Sequence, residues 1–298
     1  MIITDKAVLV TGANRGIGRA LVEEALSRGA KRVYAGTRQP LAHPDGRVTP
    51  LTLDITNEAQ IQRAVEEVES LDVLVNNAGM ALVSELSDRV AFEQQLAVNL
   101  FGTYAVTQAF LPLLTRSQGA IVNNLSMNAL APLPFIPAYS ASKAAALSLT
   151  QSSRTLFAGQ GVSVHAVLTG PVDTDAARGF EIPKASPESV ARAIFDGVEN
   201  EEEDIFPDPM SESLAQSWRS GAAKTLERQL AALVEAEPVK PQPNGSNGSG
   251  PRPSSGRLRS ATGRGASRRQ SVALRLVTRT RAMGHNRRAV WELLTPAS

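Results

Sequence analysis

The chain has 298 residues, 42% of them hydrophobic, which is enough for one large α/β domain with a sizeable core. It contains no cysteine, which excludes disulfides, thiolate nucleophiles and thiolate metal sites, and we expect no bound metal. The formal net charge of +2 joins two unlike parts, because residues 242–298 hold 11 arginines and a single acid, whereas the part before them is acidic.

A short apolar run at residues 7–10 is followed by three glycines and then by an amphipathic pattern. This order predicts a buried strand, a tight turn and a helix. Gly12 permits a sharp reversal, Gly16 lets the main chain approach a pyrophosphate, and Gly18 lets the helix pack closely on the strand. The N–H groups at the start of the helix would then face the phosphates of a dinucleotide.

Residues 32–36 predict a second strand, and the residues after it indicate which dinucleotide binds. In dinucleotide folds an acid at this place binds the ribose hydroxyls of NAD, whereas a nearby arginine accommodates the 2′-phosphate of NADP. Here Arg38 follows the strand, and Arg15 lies inside the glycine turn. Two guanidinium groups facing one phosphate favour NADP. The alternative is that both arginines are solvated surface residues.

A third strand is predicted at residues 48–53, after a connection too short for a full crossover helix. Asp54 follows this strand, where its carboxylate could accept a hydrogen bond from an adenine amino group. It could equally cap the predicted helix at residues 58–68, as could Thr56 or Asn57.

Residues 71–75 predict a fourth strand that leads into Asn76-Asn77-Ala78-Gly79. Small residues there would let a ribose approach, and the asparagines can tie loops together. A long helix is predicted at residues 88–114 with Asn99 inside it. Because asparagine is unfavourable in a helix interior, we expect Asn99 to have a polar partner or a functional reason.

The fifth strand, at residues 119–126, carries Ser126 at its end, and a helix follows at residues 139–156. Tyr139 and Lys143 lie one turn apart on that helix and project from one face. A carbonyl that receives hydride needs a proton donor and a fixed hydrogen bond at its oxygen. Tyr139 can donate that proton, Ser126 can hold the oxygen, and the Lys143 ammonium would lower the Tyr139 pKa.

Together the Thr-Gly-x-x-x-Gly-x-Gly turn, the Asn-Asn-Ala-Gly string, Asn99, Ser126 and Tyr-x-x-x-Lys resemble the short-chain dehydrogenase/reductase family over residues 5–210. The resemblance implies a single Rossmann-type, doubly wound parallel β-sheet with helices on both faces. It also implies that Asn99 holds a water which passes protons to Lys143. The implied catalytic residues are Asn99, Ser126, Tyr139 and Lys143. The cofactor contacts, for NADP with NAD less favoured, are Gly12, Asn14, Arg15, Gly16, Ile17, Gly18, Arg38, Asp54, Ile55, Asn76, Ala78, Gly79, Tyr139, Lys143, Gly170, Val172 and Thr174.

A sixth strand is predicted at residues 162–168, and His165 within it reads as a hydrogen-bonded core or cofactor-side residue. The loop after it matches the family's Pro-Gly-x-Val-x-Thr loop beside the nicotinamide, except that Thr169 replaces the proline. Because threonine lacks the fixed φ of proline, we expect a less preorganised loop.

The substrate pocket is predicted to be open and mainly apolar. A short lid at residues 175–187 would form one wall, and the residues before Tyr139 would form the other. The residues expected to line these walls are Leu130, Pro132, Leu133, Phe135, Ile136, Gly179, Phe180, Ile182 and Pro183.

Beyond the lid, the pattern predicts a helix at residues 188–199, a last strand at residues 204–207 and a helix at residues 211–236 that could pack on a partner subunit. Family members pair subunits at this sheet edge, so the resemblance implies a homodimer or homotetramer. We place the enzyme-like domain at residues 1–237. Residues 238–298 form a low-complexity linker and an arginine-rich tail, predicted to be a disordered appendage, with nucleic-acid binding the less favoured alternative.

The sequence shows no apolar run approaching the ~20 residues of a membrane span and no signal-peptide pattern. We therefore expect a cytoplasmic protein without a membrane partner. The leading functional hypothesis is an NADP(H)-dependent oxidoreductase acting on a small-molecule carbonyl or secondary alcohol. The alternative is an NADP(H)-binding sensor or regulatory protein without turnover.

Overall fold

The structure is a computed structural model that describes residues 1–39, 41–178 and 181–236. Its strands are β1 (Ala7–Thr11), β2 (Arg32–Thr37), β3 (Val48–Thr52), β4 (Val73–Asn76), β5 (Ala120–Asn124), β6 (Ser163–Val167) and β7 (Asp204–Ile205). They form one parallel sheet in the order β3-β2-β1-β4-β5-β6-β7. The order reverses between β1 and β4, which confirms the doubly wound Rossmann-type fold.

Eight helices accompany the sheet within the described residues, together with short 3₁₀ turns at Met127–Ala129 and Asp175–Ala177. The helices are α1 (Gly16–Ser27), α2 (Glu58–Glu67), α3 (Arg89–Leu96), α4 (Thr103–Ser117), α5 (Pro137–Ala158), α6 (Pro187–Glu199), α7 (Pro209–Arg219) and α8 (Ala222–Ala236).

Helices cover both faces of the sheet because the side chains of its buried strands alternate. On β1, Val8 and Val10 pack in the same core cluster as α1 and α6. Leu9, between them, packs in the opposite cluster with α2 and α4. The carboxyl ends of the strands therefore meet at one edge, between the two helical layers, where ligands bind in such folds.

The long helix predicted at residues 88–114 is interrupted. A π-helical turn at Ala97–Gly102 separates α3 from α4 and contains Asn99. Asp88 caps α3, since its Oδ1 accepts a hydrogen bond 3.0 Å long from the Ala91 N–H. A π turn adds one residue to a helix, and the 3.6-residue periodicity of the sequence does not reveal it.

The helical run Arg89–Ser117 is also long enough to span a membrane, and an 18-residue window within it has a mean hydropathy of 1.3, as a membrane span would. This differs from the expectation that no run is so apolar. Val106, Phe110 and Leu114 of this run are buried against the sheet. Its most apolar face therefore lies in the protein core.

The helix predicted at residues 211–236 is two helices, α7 and α8, because the chain turns at Ser220 and Gly221. Lys224 at the start of α8 is 1% exposed and pairs with Asp204 of β7 at 2.8 Å. Asp204 also pairs with Arg154 of α5 at 2.8 Å. The start of α8 is therefore held on its own chain, and packing of this helix on a partner subunit stays a prediction.

The predicted linker and arginine-rich tail at residues 238–298 lie outside the described residues. Gly179 and Phe180, which were expected in the lid, lie outside them as well.

Candidate active site

The carboxyl ends of the strands border a cavity of about 1530 Å³. Gly18, Asn76 and Asn99 are predicted site residues that do not line it. The predicted site residues that do line it are Gly12, Asn14, Arg15, Gly16, Ile17, Arg38, Asp54, Ile55, Ala78, Gly79, Ser126, Tyr139, Lys143, Gly170, Val172 and Thr174.

Only glycine fits at two positions of the turn between β1 and α1. Gly12 has a φ of +67°, and a Cβ atom there would lie 2.9 Å from the Cα of Ala78. A Cβ atom at Gly18 would lie 2.1 Å from the carbonyl oxygen of Gly12, so Gly18 brings α1 close to the strand, as predicted. No side chain caps α1, and its first N–H groups are available to an anion.

The two asparagines after β4 have different surroundings. Asn76 is buried, and its Nδ2 donates to Thr107 Oγ1 at 3.0 Å and to Asn123 Oδ1 at 2.8 Å. The structure thus places the predicted cofactor contact Asn76 away from the cavity, because its side chain turns into the core. Asn77 lines the cavity instead, and its Nδ2 donates to the Thr11 carbonyl at 3.0 Å. The alternation of side chains along β4 could have indicated this exchange.

Asp54 lies beside Arg38 at the end of the cavity near β2 and β3. Its Oδ1 accepts hydrogen bonds from the hydroxyl and the N–H of Thr56, at 2.7 and 2.9 Å. These two bonds hold the pKa of the Asp54 carboxyl below its usual value. Asn57, rather than Asp54, caps α2, with its Oδ1 3.1 Å from the Gln60 nitrogen. The Asp54 carboxylate therefore borders the cavity without serving as the helix cap.

Arg15 reaches from the glycine turn to the loop after β6. Its Nη1 lies 3.0 Å from Oδ2 of Asp175, and both side chains are substantially exposed, at 68% and 48%. Arg178 also pairs with Asp175. The sequence predicts Arg15 and Arg38 at one phosphate and does not indicate this further carboxylate partner of Arg15.

The cavity brings Ser126, Tyr139 and Lys143 together at its other end. Lys143 Nζ lies 5.8 Å from the centre of the Tyr139 ring. The Ser126 hydroxyl interacts with the Tyr139 hydroxyl. Lys143 Nζ also donates to the backbone carbonyl of Asn124 at 2.8 Å. A phenol, a hydroxyl and an ammonium therefore converge where a small polar group could bind.

Burial dominates the ionisation of this group. Removal of water raises the pKa of Tyr139 above its ordinary value of 10, and the smaller effect of Ser126 opposes that rise. Burial also lowers the pKa of Lys143 from 10.5 to about 8. We expected Lys143 to lower the Tyr139 pKa. In the protein without cofactor that pKa is raised instead, because desolvation of the phenolate is the largest effect.

Asn99 has the polar partners expected of an asparagine inside a helix. Its Nδ2 donates to the Met80 carbonyl and to Ser142 Oγ, both at 2.9 Å, and its Oδ1 accepts from the Met80 N–H at 2.9 Å. A Cβ atom at Gly79 would lie 3.2 Å from Asn99 Oδ1 and 3.7 Å from Lys143 Nζ, so these polar atoms lie close together. The role of Asn99 in holding a water stays a prediction.

Hydrogen bonds hold the loop after β6. Thr169 Oγ1 donates to Asn124 Oδ1 at 2.7 Å, and the Gly170 N–H donates to Asp208 Oδ2 at 2.7 Å. Asp208 is 4% exposed and also caps α7. A hydroxyl and a buried carboxylate therefore hold the start of this loop, and the expectation that it is less preorganised than a loop with proline stays a prediction.

The walls beside Tyr139 are mainly apolar, although not all the predicted residues form them. Leu130 packs in the core cluster of Leu125, and Pro132 and Pro183 do not line the cavity. Sequence reasoning missed three methionines, a flexible residue type that suits an adaptable wall. The apolar residues lining this end are Met80, Met127, Leu133, Phe135, Ile136, Ile182 and Met210.

His165 is a hydrogen-bonded core residue, which confirms one of the two roles left open for it. Its ring is 4% exposed and contacts the Glu202 carbonyl at 2.7 Å and Ser163 Oγ at 3.2 Å. Burial lowers its pKa.

Comparison with known proteins gives consistent matches. Residues 6–183 match the family model described as short chain dehydrogenase. A short chain dehydrogenase of Monascus purpureus is 37% identical over 194 residues, which cover 58% of this chain and 66% of the fungal protein. Estradiol 17-beta-dehydrogenase 2 of Mus musculus is 32% identical over 233 residues, which cover 72% of this chain and 58% of the mouse protein. A crystal structure of a short chain dehydrogenase from Burkholderia cenocepacia J2315 in complex with NADP aligns with a TM-score of 0.71 and 36% identity, covering 77% of this chain and 99% of that one.

Proposed function

Because this chain belongs to the short-chain dehydrogenase/reductase family of oxidoreductases, we propose that it transfers hydride between NADP(H) and the carbonyl or secondary alcohol of a small molecule. Tyr139 donates the proton in the reducing direction and accepts it in the oxidising direction. The observation that carries this proposal is the convergence of Ser126, Tyr139 and Lys143 with the glycine turn on one cavity.

The residues of the cavity fit a dinucleotide with a 2′-phosphate. The uncapped N-terminus of α1 would bind the pyrophosphate, and Gly12 and Gly16 leave room for it. Arg15 and Arg38 would bind the 2′-phosphate, and Asp54 would accept a hydrogen bond from the adenine. The Burkholderia relative was solved with NADP, which supports this choice of cofactor. When bound, NADPH supplies the hydride.

Reduction of a carbonyl consumes one hydride and one proton and yields an alcohol and NADP⁺. As the carbonyl carbon gains hydride, its oxygen takes the phenolic proton of Tyr139, which leaves a phenolate. The Ser126 hydroxyl donates a hydrogen bond to the same oxygen and stabilises its developing charge. The Lys143 ammonium then stabilises the phenolate until a proton from solvent restores the phenol.

The walls of the substrate end favour a carbonyl that carries apolar groups. Met80, Leu133, Phe135 and Met210 line the same cavity as Tyr139 and contribute apolar surface to it. Apolar pockets with a few convergent polar groups are typical of small-molecule sites. The substrate class proposed is therefore an aldehyde or ketone with apolar substituents, or the corresponding alcohol.

Oxidation of NADPH and NADH in the presence of aldehydes, ketones and quinones tests this proposal, with Tyr139→Phe beside the parent. We expect NADPH turnover in the parent and a fall of about 10²–10⁴-fold in kcat for Tyr139→Phe. The affinity for NADPH should remain within about twofold of the parental value. The control is Tyr104→Phe, at a tyrosine of α4 that is 48% exposed and outside the cavity.

Two results would contradict the proposed function. Tyr139→Phe with parental kcat would remove Tyr139 from the reaction. NADPH binding without reduction of any carbonyl or oxidation of any alcohol would favour an NADP(H)-binding sensor.

We further propose that the chain acts as a homodimer or homotetramer in the cytoplasm. Assembly is general in its family, and Phe101 and Leu156 leave apolar surface exposed, at 61% and 53%. The chain has no cysteine and so needs no oxidising compartment to form disulfides. Light scattering after size-exclusion chromatography tests the assembly, and a monomer at micromolar concentration would contradict it.

A further inference from the structure

Polar side chains at the ends of neighbouring strands are joined by hydrogen bonds along the wall of the cavity. Thr169 Oγ1 donates to Asn124 Oδ1 at 2.7 Å, and Asn124 Nδ2 donates to Asn77 Oδ1 at 2.9 Å. Asn77 Nδ2 in turn donates to the Thr11 carbonyl at 3.0 Å. Asn77, Asn124 and Thr169, which we call the strand-end network, thus connect the carboxyl ends of β6, β5, β4 and β1.

The strand-end network has one consistent direction. Asn77 Nδ2 donates both of its hydrogens, to the carbonyls of Thr11 and Gly12, at 3.0 and 3.4 Å. Asn77 therefore has only its side-chain oxygen left to accept a hydrogen bond from Asn124. Asn124 must then present Nδ2 to Asn77 and Oδ1 to Thr169. Residue 169 therefore has to be a hydrogen-bond donor. A threonine hydroxyl meets this requirement, and a proline does not.

Asn124 also contacts Lys143. Its backbone carbonyl accepts the hydrogen bond from Lys143 Nζ at 2.8 Å, and Lys143 is only 6% exposed. The side chain that Thr169 fixes and the carbonyl that holds the lysine belong to the same residue. A shift of Asn124 would therefore displace an acceptor of the Lys143 ammonium.

We infer that Thr169 and Asn124 form a positioning pair that sets the Lys143 ammonium and the start of the loop after β6. This inference rests on the roles proposed for Tyr139 and Lys143. The loop start is included because Thr169 is its first residue. The next residue, Gly170, lines the cavity, and its N–H donates to Asp208 Oδ2 at 2.7 Å. Hydrogen bonding here replaces the fixed φ of the proline in the family's loop.

Thr169→Val tests the pair, because it removes the donor and keeps the shape of the side chain. We expect kcat to fall about tenfold, with the KM for the carbonyl within about twofold of the parental value. The pH profile of kcat should change, since Lys143 is then held less firmly beside Tyr139. The Kd for NADPH, measured by fluorescence without turnover, should rise about threefold. Thr169→Ser keeps the donor and should restore all three quantities.

Thr150→Val is a matched control. Thr150 of α5 is fully buried, and its Oγ1 accepts from Asn123 Nδ2 at 3.0 Å. This variant deletes a comparable buried hydroxyl beside the neighbouring asparagine of β5, outside the cavity. It should lower the Tm about as much as Thr169→Val and leave kcat, its pH profile and the Kd for NADPH unchanged.

Thr169→Pro removes the hydroxyl but restrains the backbone, so it distinguishes the effect of the hydrogen bond from the effect of loop stiffness. It also replaces Thr169→Val as the test if that variant does not fold. We expect it to bind NADPH about as the parent does but to lose kcat about tenfold, because Asn124 Oδ1 then has no donor. Parental kcat and pH profile in Thr169→Val or Thr169→Pro would overturn the inference. So would equal losses in Thr169→Val and Thr150→Val, or failure of Thr169→Ser to restore activity.

These failures are distinguishable from failure of the proposed function. A parent without turnover on any carbonyl or alcohol, or a fully active Tyr139→Phe, contradicts the function. The positioning pair is then judged by the Kd for NADPH alone, where equal values for Thr169→Val and the parent overturn it.

Discussion

Arg15 Nη1 and Asp175 Oδ2 lie 3.0 Å apart, and the ion pair joins the glycine turn to the loop after β6. The Arg15 guanidinium pairs with a carboxylate here, whereas in the proposed function it binds the 2′-phosphate of NADP. Under the proposed function the two anions compete for Arg15, and we expect Asp175 to influence the choice of cofactor.

Release of Arg15 from this competition should strengthen NADPH binding. We expect Asp175→Asn to lower the Kd for NADPH about two- to fivefold, because an exposed ion pair contributes up to ~1 kcal/mol. The Kd for NADH should not change, since NADH lacks the phosphate. Fluorescence titration measures both constants, and added salt should shrink the effect. Asp173→Asn, in the same loop, is the control, and an unchanged Kd for NADPH in Asp175→Asn would show that the anions do not compete.

Arg38→Ala should reduce the preference for NADPH. A charge-assisted hydrogen bond to phosphate contributes about 1.5–3 kcal/mol, so the Kd for NADPH should rise tenfold or more. The Kd for NADH should stay within about twofold. Arg89→Ala, at an 87% exposed arginine paired with Glu93 on α3, is the control. Equal weakening of both cofactors would mean that Arg38 does not recognise the 2′-phosphate.

Lys143 should make stability depend on pH in a defined direction. Its pKa is about 8 in the folded protein and 10.5 in its ordinary state, so the unfolded chain binds more protons between these values. The free energy of unfolding therefore rises with pH across this window. Lys143→Met should be more stable than the parent by about 3 kcal/mol at pH 7, and the difference should shrink toward pH 10.

Urea unfolding at pH 7, 8.5 and 10 measures this difference, with Lys31→Met as the control at an exposed lysine. The raised pKa of Tyr139 has the opposite effect on stability from its ordinary value of 10 upward, but Tyr139 is present in both proteins, so this effect cancels in their difference. If the free energies of unfolding of Lys143→Met and the parent differ by the same amount at all three pH values, the lowered pKa of Lys143 is contradicted.

Gly18→Ala should damage the glycine turn, since its Cβ would lie 2.1 Å from the Gly12 carbonyl oxygen. We expect a loss of about 1–3 kcal/mol in the free energy of unfolding, together with weaker NADPH binding. Gly46→Ala is the matched control, because no atom lies within 4 Å of a Cβ built there. Urea unfolding compares the two variants. Equal stability would show that α1 moves aside without cost.

The sequence predicts those parts of the site in which local pattern and backbone geometry agree. The strand, turn and helix around Gly12 and Gly18 are one such part, because apolar periodicity and glycine conformation point to the same structure. The pairing of Tyr139 with Lys143 is another, since their separation on a helix fixes their common face.

Other features depend on contacts between distant segments and could not be predicted. The Lys143 pKa reflects burial, which no local pattern measures. The Thr169 hydroxyl has a role only because Asn124 and Asn77 meet it from other strands. Tertiary contacts therefore decide these details.

The π-helical turn at Ala97–Gly102 has a consequence for how this sequence can change. Each residue of an α-helix turns the chain by about 100°, so one surplus residue leaves α3 rotated by that angle relative to α4. The register that lets Asn99 reach Met80 therefore depends on the number of residues in the turn. A substitution would leave the number of residues in the turn unchanged. The deletion of one codon would rotate α3 by about 100° relative to α4.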